Sequence, residues 1–288
     1  MLNDIYVSTG AFRSRDLTEI LRTAEQADLR AIELAPGLNY DGEMPALLRK
    51  HRDSFSFMIH NYFPTPRESF ALNLASDDPD TIWKSMAMCR NNVDTCAALG
   101  IPYYSLHCGF CFHTDGRHLG NASQGTLPVI PYEKARAGFV ENVKNLCDYA
   151  AGQGVSIAIE NNVQAAYTAD REDLLLGVTG KELLELLSLC ERNNLYILLD
   201  LAHAKVSGNV RGFDVDGMIR ELADTVIEVH ISDNDGCTDQ NLPVGRDSAD
   251  MIRWLEMLRE KIWTIEAYQL ETGEIHDQIT FLKELKKA

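Results

Sequence analysis

Residues 195–203 read LYILLDLAH. A short apolar run closes on a single carboxylate, Asp200, and an imidazole, His203, follows three residues later. A run apolar at both parities is how a strand buried on both faces of a parallel sheet reads. The same pattern recurs in IYVS (5–8), AIELA (31–35), FSFMIH (55–60), YYSLH (103–107), VSIAIE (155–160), VIEVHI (226–231) and WTIEA (263–267). Between these runs lie helical stripes at steps of three and four. Residues 79–99 carry Ile82, Met86, Cys89, Val93 and Cys96, and residues 132–152 carry Phe139, Val143, Leu146 and Ala150. Residues 180–193 carry Leu183, Leu186, Leu187 and Cys190, and residues 248–262 carry Met251, Leu255 and Leu258. Strands alternating with helices, with no composition break, predict a single-domain (β/α)8 TIM barrel over 1–288. A doubly wound open sheet is the rival, but Ser8-Thr9-Gly10-Ala11 after the first strand is not the Gly-rich turn such folds use. The longest irregular stretch, 108–131, follows the fourth strand and is expected to rise over the C-terminal mouth of the barrel.

The chain has 288 residues, with 27 Lys plus Arg against 43 Asp plus Glu, a formal charge of −16. That disfavours a protein built to grip nucleic acid, which needs a basic face. The seven cysteines fall without framework spacing, and Cys108 and Cys111 lack a second pair to complete a zinc site. They read as free thiols of a reducing compartment, so a cytoplasmic location with no membrane segment is expected.

Chemistry concentrates at the strand ends. His60, His107, Glu160, Asp200 and His230 each stand at or next to the end of an apolar run, and Glu266 stands near the end of the eighth. A barrel points all such positions into one mouth. Buried carboxylates are costly alone and are compensated by a cation. Glu160, Asp200, His230 and Glu266 are therefore expected to hold a divalent metal such as Mn²⁺, Zn²⁺ or Co²⁺. His60 and His107 are candidates either as further ligands or as substrate hydrogen-bonding groups. His203 and Asp239 are candidate substrate contacts, whereas His113 and His118 on the long loop read as solvated.

Quoted in order, IHNYFP (59–64), LNLAS (72–76), SLHCG (105–109), IAIEN (157–161), LLDLAH (198–203), HISDNDG (230–236), DQNLPVG (239–245) and TIEAY (264–268) resemble the superfamily of xylose isomerase-like TIM barrels. That superfamily joins sugar isomerases and epimerases to endonuclease IV-type enzymes, and the resemblance runs over about residues 5–267. Its sugar branch implies one metal on Glu160, Asp200, His230 and Glu266, with Glu160 and Glu266 doubling as the acid/base pair and His203 touching substrate. Its endonuclease branch implies a cluster. His60, His107 and Glu160 would bind one metal, and Asp200, His230 and Glu266, with Glu160 bridging, a second. His203 and Asp239 would serve a third together with a histidine two residues past the aspartate. That last position is Asn241 here, a poor zinc ligand.

The leading expectation is a metal-dependent sugar or sugar phosphate isomerase or epimerase, acting by proton transfer through a metal-stabilised enediolate with no organic cofactor. The alternative is an endonuclease IV-like phosphodiester hydrolase with a two-metal site, for which Arg211 and Arg246 are the nearest cationic candidates. A barrel that binds sugar without turning it over is a third class. Pairing into a homo-oligomer through the outer helices is also expected.

Overall fold

The computed structural model describes residues 4–120 and 122–287. Eight parallel strands close into a barrel in sequence order: β1 (Ile5–Ser8), β2 (Ala31–Leu34), β3 (Ser56–His60), β4 (Tyr103–His107), β5 (Ser156–Glu160), β6 (Leu195–Asp200), β7 (Val226–Ile231) and β8 (Ile262–Ile265), with β8 pairing back to β1. The expected (β/α)8 architecture is thus observed, and the open sheet is excluded. The helices around it are α1 (Leu17–Gln26), α2 (Met44–His51), α3 (Pro79–Leu99), α4 (Tyr132–Gly152), α5 (Gly180–Cys190), α6 (Leu201–Arg211), α7 (Val215–Leu222), α8 (Ala249–Met257) and α9 (Thr272–Lys287). None is long and apolar enough to cross a membrane.

Local chemistry explains where the elements start and stop. Asp78 accepts from the Thr81 N–H and Pro79 opens α3, which Gly100 closes at φ 72°, a conformation glycine adopts without strain. Thr179 and Glu182 form a reciprocal capping box on α5. That helix ends at Cys190, three residues short of the expected 193, because Glu191 turns into the left-handed region at φ 51°. Similarly α8 stops at Met257, short of 262, where Leu258–Lys261 turn the chain into β8. The apolar rows over 180–193 and 248–262 run past both helix ends because periodicity carries no stop signal of its own.

The stretch after β4 packs down at its start, around Phe110 and Phe112. Phe110 bridges to Leu175 and Phe112 to Val129, and Phe110, Phe112, Ala71, Leu174, Leu175 and Val178 form a small apolar cluster separate from the main core. His113 pairs with Asp77 at 3.1 Å, and His118 Nδ1 lies 2.8 Å from Ser123 Oγ. Cys89, Cys96, Cys108, Cys111, Cys147 and Cys190 are buried free thiols, and burial pushes Cys111 up to about 12.

Candidate metal centre at the barrel mouth

Parallel strands bring like ends together, so the register of the sheet builds the site. His60 ends β3, His107 ends β4 opposite Glu160 at the end of β5, and Asp200 ends β6 opposite His230 on β7. Glu266 lies one residue beyond β8, not on it, but its N–H still bonds the Ile231 carbonyl at 2.9 Å and continues the ladder. The side-chain ligand atoms of Glu160, Asp200, His230 and Glu266 all fall within 4.8 Å of one another, as do those of His60, His107 and Glu160.

Glu160 is the hub. Its Oε2 lies 2.9 Å from His107 Nδ1 and 3.2 Å from His60 Nε2, and its Oε1 lies 3.6 Å from both His230 Nδ1 and His203 Nδ1. These approaches are close but not aligned as hydrogen bonds, and both Glu160 oxygens, His60 Nε2 and Asp200 Oδ2 are buried without a hydrogen-bond partner. Asp200 divides its work. Its Oδ1 accepts from the His203 N–H at 2.6 Å and caps α6, which leaves Oδ2 turned to the cluster. Buried oxygens and imidazole nitrogens converging without bonds of their own are the donor set a divalent cation takes.

Two imidazoles are fixed by partners on their far side. His60 Nδ1 lies 3.0 Å from Ser105 Oγ, whose hydroxyl itself donates to the Ile59 carbonyl. His203 Nδ1 donates to the Asn161 carbonyl at 2.9 Å, and its Nε2 reaches Asp239 at 3.3 Å. Turned so that its amide nitrogen faces Asp239, Asn241 donates to both carboxylate oxygens, at 3.2 and 3.3 Å. Asp239 therefore already serves two neighbours.

The charges are strongly perturbed. Burial opposes ionisation of Glu160, but the His107 and His60 imidazoles outweigh it and hold the carboxyl well below its ordinary range. Burial likewise opposes the charge on Glu266, and His230 overcomes it, down to about 2. Asp200 goes the other way: burial, reinforced by Glu266 and Glu160, raises it well above the usual range.

Two buried acids escaped the sequence reading. Glu33 on β2 lies 2.8 Å from His230 Nε2, and Glu228 on β7 accepts from the Thr264 hydroxyl at 2.5 Å. The signal was present: each is the one charged residue within its apolar strand, and Glu228 shares a strand face with His230 two residues on. Burial, then Glu33, raises Glu228 to about 7. Because the folded value lies above the ordinary 4.5, this group's stabilising contribution is complete below pH 4.5 and lost as pH rises through 7. Glu228→Gln is expected to exceed the parent in stability at pH 8 by on the order of 2 kcal/mol and to match it at pH 4. Urea melts at the two pH values check this, and a pH-independent difference would refute it.

A family model described as xylose isomerase-like TIM barrel matches residues 21–285. The chain belongs to the xylose isomerase-like TIM barrel family. An L-ribulose 3-epimerase of Methylomonas sp. (strain DH-1) is 29% identical over 141 residues, 49% of this chain and 43% of that protein. An uncharacterised protein of Methanocaldococcus jannaschii is 28% identical over 147 residues, 50% of this chain and 46% of that one. The chain thus spans about half the length of the curated relatives it matches. Among solved family folds, a D-tagatose 3-epimerase-like protein superposes with TM-score 0.75 at 21% identity, covering 99% of this chain and 97% of that one. D-psicose 3-epimerase from Clostridium cellulolyticum H10, solved with D-tagatose, gives 0.71 at 13% identity and 99% coverage of both chains. At these identities what is shared is the barrel.

Proposed function

We propose that this protein is a divalent-metal-dependent sugar epimerase or isomerase that moves a proton next to a carbonyl. The observation that carries the reading is the tetrad Glu160, Asp200, His230 and Glu266, whose ligand atoms lie within 4.8 Å of one another. These four residues would hold the cation, which when bound supplies Lewis acidity towards a carbonyl and its neighbouring hydroxyl. The names of the epimerases that share the fold accord with this chemistry.

The chain's own groups divide the remaining work. Glu160 comes from β5 and Glu266 from beyond β8, so the two carboxylates approach a bound sugar from different sides. Both are held ionised by imidazoles, the protonation state in which a carboxylate can take a proton, while the same lowering weakens each as a base. Return from the opposite side inverts the carbon and gives epimerisation, whereas return to the adjacent carbon gives isomerisation. His203 and Asp239 form a hydrogen-bonded pair beside the tetrad and would grip substrate hydroxyls. His203→Gln is expected to raise KM about tenfold with a smaller effect on kcat, since it removes one polar contact to substrate. Initial rates over a substrate series check this, and an unchanged KM would remove His203 from the binding role.

One observation favours the hydrolase reading, namely His60, His107 and Glu160 as a second ligand set. Two others weigh against it. Arg211 pairs with Glu182 and Arg246 with Glu284, each at 2.8 Å, so neither is a free cation for a phosphodiester. Asn241 stands where the resemblance places a histidine and, with its amide turned, would donate to Asp239, so the third zinc position would lose one of its ligands.

The deciding experiment incubates ketopentoses and ketohexoses with the protein and one divalent metal in D₂O. Deuterium entering the carbon beside the carbonyl supports the proposal. No exchange with any ketose, together with nicking of abasic DNA, would replace it by the hydrolase.

A further inference from the structure

We infer that Glu33 is the positioning residue of the candidate metal centre. It fixes which nitrogen of His230 faces the tetrad. The inference rests on the metal-binding reading above and extends it to a strand that reading does not use.

Glu33 sits on β2 and is fully buried, as is His230 on β7. In the closed barrel β8 and β1 lie between these strands, so the contact crosses the barrel interior. Glu33 Oε2 lies 2.8 Å from His230 Nε2. On the other edge of the ring, Nδ1 lies 3.0 Å from Glu266 Oε2 and 3.6 Å from Glu160 Oε1. A neutral imidazole has one N–H and one lone pair, so a cation taken at Nδ1 would leave the hydrogen on Nε2, the edge that Glu33 meets. With a cation on the tetrad, Nε2 would be the N–H and Nδ1 would offer its lone pair beside Glu160 and Glu266. The His60 ring packs edge-on against His230, with centroids 4.9 Å apart at 68°, and blocks rotation of the imidazole away from this setting.

Among the described residues no other group offers that acceptor. Glu228, the nearest alternative, is 4.0 Å from Nε2 and is engaged by Thr264. Glu33 Oε1 has no hydrogen-bond partner of its own, and His230 Nε2, 2.8 Å from Oε2, is the side chain's one polar partner. A buried carboxylate is expensive to keep on an inward-facing strand position. Glu33 also lies with His60 and His230 in a set whose ligand atoms fall within 4.8 Å of one another, and its 2.8 Å contact with Nε2 favours holding the opposite edge of a ligand imidazole over ligating an ion itself.

The test compares the full-length parent protein with Glu33→Leu and Glu33→Gln. Leucine removes the acceptor, and glutamine keeps an acceptor oxygen while removing the charge. Affinity for Co²⁺ is measured by competition against a chelating dye. In the zinc-loaded protein, long-range ¹H–¹⁵N spectra report which His230 nitrogen carries hydrogen. Glu33→Leu is expected to weaken Co²⁺ binding by about 10–100-fold, the range seen when the outer partner of a ligand histidine is removed. Glu33→Gln is expected to recover most of that loss and to retain the Nε2–H resonance. Unaltered affinity in Glu33→Leu, equal weakening in both variants, or zinc bonded through Nε2 in the parent would each overturn the inference. If Glu33→Leu does not fold, the glutamine variant decides alone: loss of its Nε2–H resonance overturns the proposal. A parent protein that binds no metal sinks the metal reading and this inference with it, whereas a parent that binds and variants that bind equally well sink only the role of Glu33.

Discussion

Glu160→Gln is expected to lower the rate of deuterium incorporation into a ketose substrate by about 10⁴-fold, the upper end for loss of a positioned acid/base group. The expectation follows from the number of roles that meet on one side chain. Glu160 Oε2 faces His60 and His107, and Oε1 faces His230 and His203. Glutamine replaces one of these oxygens by a donor that can neither ligate a cation nor take a proton from carbon. The amide is nearly the same size, so the barrel core around Ile157 and Ile159, both fully buried, should not notice the change. Solvent-exchange rates alongside a thermal melt make the distinction. A variant that melts like the parent and exchanges within about tenfold of it would remove Glu160 from the chemistry.

The second large effect concerns the fold itself. Glu33, Glu160, Asp200, Glu228 and Glu266 bury five carboxyl groups in and beneath one barrel mouth. Their neighbours are imidazoles, and Asp200 Oδ2 and both oxygens of Glu160 lack hydrogen bonds. A cation bound only by the folded state stabilises it by about 4 kcal/mol at a thousandfold excess over Kd. For a chain of this size that corresponds to roughly 10 °C in Tm. Stripping the protein with a chelator is expected to lower Tm by about that amount, and added Mn²⁺, Co²⁺ or Zn²⁺ to restore it. Asp200→Asn should melt at one temperature with or without metal. Scanning calorimetry checks both statements, and a parent protein whose Tm ignores chelator and metal would defeat the metal assignment.

The two effects are separable because they read different properties of the same groups. Exchange into substrate needs a base at a given atom, whereas metal-linked stability needs only that the ligands exist together in the folded state. His203 and Asp239 should matter to the first and little to the second, since their mutual contact at 3.3 Å lies beside the tetrad and not within it.

What was legible in the sequence was what is local along a strand. Apolar runs such as VSIAIE and LYILLD announce burial on both faces, and a single polar residue closing each run announces a position at the mouth. That was enough for the eight strands, and it was enough to name Glu160, Asp200, His230, Glu266, His60 and His107 as one cluster, because parallel strands in a closed barrel have no other place to put their C-terminal ends. Asp200 was legible as a strand end, whereas its second role, capping α6 by accepting from the His203 N–H, came from the structure. The helix ends at Cys190 and Met257 were less legible, since a left-handed Glu191 leaves no trace in an apolar stripe.

The tertiary structure alone decided the rest. Which imidazole serves which carboxylate oxygen depends on barrel register, which pairs His107 with Glu160 and Asp200 with His230. The neutralisation of Arg211 by Glu182 and of Arg246 by Glu284 joins residues 29 and 38 positions apart, and charge counts cannot anticipate it. The contact of Glu33 with His230 spans 197 positions and crosses the barrel between strands that do not pair. A strand's side-chain alternation is fixed by its own backbone and can be read from order alone. A contact across the interior is fixed by closure, by the tilt and stagger with which eight strands meet, and that is a property of the whole ring.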